Sequence, residues 1–175
     1  MKKSDLNYIF NQNPSLKKIG TKDQYNKYLK NIFPKTKYKK IVWHHSERRI
    51  EKFKSNFIEG YAAKNGVSPK AIFFLGRPAK KEFLSKRPYL GAFKLNLKNP
   101  RYVGNGIIPI NREKSGIKEN IRIALKNKND GVIFRKIWDN KIWTDVYVVF
   151  SPSQVHSLAS KKDVKWFKEY LKLRN

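Results

Sequence analysis

Cysteine is absent from the 175-residue chain, so it has neither a disulfide framework nor a thiolate metal site. Such a composition suits a reducing compartment. Acidic residues are scarce: 13 Asp and Glu stand against 40 Lys and Arg, for a formal net charge of +27. No apolar run approaches the roughly 18 residues that a membrane span needs. The opening MKKSDLNYIFNQNPSLKK starts with lysines but lacks a continuous apolar stretch, so no secretory signal is expected. No glycine-rich phosphate loop precedes a helix. No acidic cluster marks a two-carboxylate active site, and histidine occurs only three times.

What the chain does have is charge and aromatic mass. Self-repulsion at +27 costs stability unless a polyanion or counterions absorb it, and nucleic acid is the expected partner. Lysine is spread along the whole chain, which suits nonspecific phosphate contact more than base reading. Four Trp, nine Tyr and eleven Phe can supply the core of one domain.

Local patterns predict the elements. Residues 1–20 are polar with scattered aromatics and read as an N-terminal arm to a single domain over 21–175. Thr21 and Gln24 have capping-box spacing, and Tyr25, Tyr28, Leu29 and Ile32 form the apolar stripe of the helix that follows, up to Pro34. Strands are expected over 40–45, 71–76, 92–98, 131–139 and 144–150. In the third, Phe93, Leu95 and Leu97 alternate with Lys94, Asn96 and Lys98, a half-buried pattern. Residues 47–70 read as mixed, and 78–86 as a short helix. Further helices are expected over 115–127 and after Ser160, which has capping-box spacing to Asp163. Asp130 reads as a turn cap and Gln154 as an amide that ties down the loop after Pro152. The whole predicts an α+β domain.

The stretch KYKKIVWHHSERR, 37–49, ends an apolar strand in two adjacent histidines and a serine. On a strand His44 and His45 point to opposite faces, so they do not form a metal site together. His44 and Ser46 share a face.

In order along the chain, TKDQYNKYLKNIFPKTKYKKIVWHHS, FKLNLKNP, DGVIF and VYVVFSPSQVHSL resemble the ART-PolyVal-like family of the ADP-ribosyltransferase superfamily, found in phages and mobile elements. The resemblance covers about residues 21–160. It implies a split β-sandwich, two small sheets around a cleft, with NAD bound in the cleft as substrate. It implies that His44 bonds the adenine-side ribose and that Ser46, with the backbone at His45, holds the nicotinamide carboxamide. Phe73 or Phe74 would stack near the nicotinamide. The sequence departs from the family twice. His45 stands where the family has Gly. Val146 stands where transferases of the superfamily carry a Glu, which leaves Asp145 as the candidate catalytic carboxylate if a bulge re-aims it. The implied function is NAD-dependent mono-ADP-ribosylation of a macromolecule, in the host cytoplasm or the phage virion. The alternative is a catalytically degenerate protein of the same fold that binds nucleic acid through its basic surface, packaged in a virion.

Overall fold

The computed structural model describes residues 2–53, 71–78, 87–104, 114–139 and 142–174. Among the described residues the helices are α1 (Lys3–Gln12), α2 (Ser15–Ile19), α3 (Lys22–Ile32), α4 (Lys114–Lys126) and α5 (Lys161–Lys172). The strands are β1 (Val42–Ser46), β2 (Ile72–Leu75), β3 (Tyr89–Leu95), β4 (Arg101–Val103), β5 (Gly131–Asp139), β6 (Ile142–Val149) and β7 (Val155–Ser157). The class is α+β. The strands form one open mixed sheet in the order β4-β5-β6-β2-β1-β3-β7, with β4 parallel to β5 and all other neighbours antiparallel.

Local chemistry starts the helices where the capping residues stand. The Thr21 hydroxyl accepts the Gln24 N–H at 3.2 Å, and the Gln24 side chain accepts the Thr21 N–H at 2.7 Å. Ser160 Oγ likewise accepts the Asp163 N–H at 3.1 Å to open α5. The arm expected over 1–20 is instead folded into the domain as α1 and α2. Leu6, Ile9 and Phe10 fall at i, i+3 and i+4 and are buried, with Leu16, against Tyr25, Leu29 and Phe167. That stripe is only one turn wide, and the polar residues around it masked it. The three-residue strands β4 and β7 carry too few residues to show alternation and were not expected. The helix expected over 78–86 lies, beyond Pro78, outside the described residues, as does 54–70 of the mixed stretch.

The sheet curls strongly. Gly131 on β5 and Leu97, just past β3, are four strand spacings apart in sheet order, about 19 Å if the sheet were flat. Yet a Cβ on Gly131 would lie 2.5 Å from Leu97 Cδ2 and 2.4 Å from the Val148 carbonyl oxygen. Only glycine permits that approach. The rings of Tyr38 and Tyr147 meet at 4.3 Å across the same gap. The inner face therefore encloses one core of residues from both wings: Val42, Phe93 and Leu95 from one, Phe74, Ile133 and Tyr147 from the other. The outer face carries two separate cores. One packs Trp43 and Ala92 under α1, α2, α3 and α5; the other packs Val132, Val146 and Val148 under α4.

Polar ties lock the wings together at one corner. Gln154 Oε1 accepts the N–H groups of Phe150 and Ser151 at 3.0 and 2.9 Å, and its amide donates to the Asp130 and Asn96 carbonyls at 2.6 and 3.3 Å. The Asp130 carboxylate accepts the N–H groups of Lys98 and Asn99 at 2.5 and 3.0 Å. Both residues thus hold loops, as the sequence suggests.

Lys94 departs from its expected solvent-facing place. It is 4% exposed, because β7 pairs His156 opposite it and the helices cover that face. Its ammonium donates to the Lys39 carbonyl. Burial, then the charge of Lys39, push it from 10.5 down to about 8. The folded chain gives up this proton first. Below about pH 8 the cost of the buried charge is therefore complete, and stability rises as pH climbs from about 8 to 10.5. Urea unfolding of Lys94→Met should lack that rise. Its stability relative to the parent should fall by about 2–3 kcal/mol between neutral pH and about pH 10.

Candidate functional site

The two wings meet at β1 and β2, and that junction is thin. β1 pairs with β3 along all five of its residues, from Val42↔Phe93 to Ser46↔Tyr89. With β2 it makes a single pair, Trp43↔Leu75. One residue later the strands part, and His44 fills the gap. Its Nδ1 lies 2.8 Å from the Phe73 carbonyl oxygen. A carbonyl only accepts, so Nδ1 carries the proton and the imidazole takes the place of a ladder N–H. The ring is 5% exposed on the inner face, with ring centroids of Phe53, Phe74 and Phe93 at 5.3, 5.6 and 6.3 Å.

His45 alternates to the other side, the face of Ile41 and Trp43. The side chain that stands in place of the family's Gly therefore points away from the inner face. Burial first, then His44 and Arg87, push its imidazole down to about 4, so it is neutral at physiological pH. The Ser46 hydroxyl donates to the Arg48 carbonyl at 2.6 Å and closes a turn. Ser46 borders an open pocket between α1 and the start of β3, shared with Tyr8, Gln12, Arg49 and Leu90.

The two phenylalanines separate. Phe74 is buried on the inner face against His44. The Phe73 side chain packs on the outer face with the α4 core, and only its carbonyl meets His44. Alternation on β2 dictates the split.

On β6 the same rule decides the carboxylate. Val146 is buried on the outer face under α4, where a carboxylate would meet Ile117 and Ile121. Asp145 faces inward with Tyr147. A bulge is present, but it lies in β5: Arg135 and Lys136 stand where one residue would, between the pairs Phe134↔Val146 and Ile137↔Thr144. Lys136 takes a left-handed φ of 52° and donates its N–H to Asp145 Oδ1 at 3.0 Å. The Tyr147 hydroxyl donates to Asp145 Oδ2 at 3.1 Å. Tyr147 is also hydrogen-bonded to Tyr38. Burial, with the Asp145 charge adding to it and the Tyr147 bond offsetting part, pushes Tyr38 up to about 12. Burial and then Tyr38 push Tyr147 further up. His44 and Asp145 therefore share the inner face, with the cross-strand pair Phe74↔Tyr147 between them.

Sequence reading missed a second polar centre. Asp163 is 0% exposed and accepts four hydrogen bonds: from Tyr25, from Tyr28 at 2.9 Å, from His156 Nε2 at 2.7 Å and from the Ala159 N–H at 2.8 Å. His156 stacks on Trp166 at 5.1 Å. The available signal was Tyr25 and Tyr28 at i and i+3, whose rings read as apolar while their hydroxyls need partners.

No family model, no curated protein and no solved structure matches this chain.

Proposed function

We propose that the chain is an NAD-dependent mono-ADP-ribosyltransferase, a split β-sandwich whose NAD cleft opens where β1 and β2 part. The parting of the strands at His44 carries this reading. Nicotinamide is a flat ring that carries one amide, so an aromatic wall beside polar groups at a strand end suits it, and β1 makes a single pair with β2 before the two strands part. Phe74 and His44 line that junction from opposite wings, and Asp145 supplies an inward carboxylate. In the reaction the glycosidic C–N bond of NAD breaks and nicotinamide leaves with the electron pair. The acceptor nucleophile bonds the ribose carbon and loses its proton. Asp145 would stabilise the positive charge that builds on the ribose. A phage or mobile-element origin would place the protein in the host cytoplasm or the virion.

One observation favours a second reading. Phe53, Phe74 and Phe93 close over the His44 ring, and both Asp145 oxygens already have donors. A degenerate site of this kind suits a non-catalytic protein of the same fold that binds nucleic acid through its +27 charge. Incubation with NAD labelled in the adenylate, with host lysate and with or without nuclease, separates the two. Label transferred to macromolecules supports the enzyme, and its loss on nuclease treatment identifies a nucleic-acid acceptor. No transfer and no NAD binding supports the second reading.

A further inference from the structure

On the wing of β4, β5 and β6 a set of large side chains lies outside every core. Trp138 and Trp143 are 39% and 43% exposed, and Tyr102 is 50% exposed. Trp138 and Trp143 are directly paired across β5 and β6, with ring centroids 5.2 Å apart. Tyr102 pairs with Ile133, an inner-face residue, and the Arg135 guanidinium sits over its ring at 5.1 Å. By alternation Tyr102, Arg135, Trp138 and Trp143 all project from one face. Lys136 projects from the bulge beside them and is exposed. From the level of Ile133 to Trp138 the strip spans four steps of the ladder, about 14 Å, room for two or three nucleotides.

We propose that this strip is a binding platform for single-stranded nucleic acid. Exposed aromatic faces offer stacking to any unpaired base, because every base has a π-face. In a duplex those faces are buried in the base stack, so the platform selects single strands. The occupant follows from charge. A chain with 40 basic and 13 acidic residues attracts a polyanion, and Arg135 and Lys136 bring that charge to the aromatic strip. Cation–π contact holds the Arg135 guanidinium over the Tyr102 ring, where it can meet a base or a phosphate. Backbone phosphates would bind the diffuse lysines and the bases the strip, which gives affinity without sequence preference. The proposal stands whether or not the chain turns over NAD.

The test is titration of the full chain with a labelled short oligodeoxythymidine at physiological salt, without NAD. The same titration is run with a duplex of equal length, with heparin and with anionic phospholipid vesicles. The single strand should bind more tightly than the duplex. Trp138→Ala and Trp143→Ala should each weaken it about tenfold. Heparin, which has charge but no bases, should bind the variants as it binds the parent. Trp143→Phe keeps a stacking face and should recover most of the affinity, which separates lost stacking from lost folding. The proposal is overturned if duplex and single strand bind equally. It is also overturned if the alanine variants bind the oligonucleotide like the parent, or if vesicles bind at the strip and the oligonucleotide does not displace them.

Discussion

On the proposed transferase reading, Asp145→Asn should lower ADP-ribose transfer about 10²–10³-fold and leave NAD affinity nearly unchanged. Charge appears on the ribose only as the glycosidic bond breaks, so an anion there acts on the transition state and not on the bound substrate. Asparagine suits this test better than alanine. Its carbonyl can still accept the Lys136 N–H, and its amide can bond the Tyr147 hydroxyl, so the β5 bulge keeps its anchor. Only the charge is removed. His44→Ala should behave oppositely, weakening NAD binding more than turnover, because a ribose hydroxyl is present in both states. Single-turnover transfer and NAD titration of both variants read the split. Transfer by Asp145→Asn at the parent rate would mean that another group stabilises the charge, or that none does.

Asp163→Ala should destabilise the fold by about 3–5 kcal/mol and lower Tm by on the order of 10 °C. The substitution orphans the Tyr25 and Tyr28 hydroxyls, His156 Nε2 and the Ala159 N–H together, all in a buried site. Burial and the Asp163 charge push both tyrosines well up, so their hydroxyls stay protonated donors through alkaline pH. The loss should extend beyond α5, because the same carboxylate joins α3, the β7 strand and the turn at Ala159. Asp163→Asn should recover part of it, since its amide still accepts but cannot accept from every donor. Glu119→Ala breaks only the exposed pair with Arg122 and should leave thermal unfolding unchanged. A melting temperature for Asp163→Ala near the parent's would show that water replaces the carboxylate.

What the sequence alone determined rests on short-range chemistry. Thr21 and Ser160 place the starts of α3 and α5 because a capping hydroxyl bonds an N–H only three residues away. Short apolar runs located β2, β5 and β6, alternation located β3, and the same period of two in the pleat separated His44 from His45. Gln154 was legible as a loop tie through its bonds to the nearby Phe150 and Ser151 N–H groups, whereas the Asp130 carboxylate reaches Lys98 and Asn99, 32 and 31 positions away, which local turn chemistry does not reveal. The tertiary structure decided the rest. Tyr25 and Asp163 are 138 positions apart, and no period links them. Lys94 reads as an outward residue on its own strand and is buried only because β7 and the helices cover that face. Residues 1–20 read as an arm until α3 and α5 provide the surface that their one narrow stripe can bury. Which carboxyl position faces inward was fixed by which face of β6 α4 covers: Val146 went under the helix, so Asp145 went to the side of His44. Packing of a helix on one face of a sheet is a long-range choice, and it turns a local alternation into an inside and an outside.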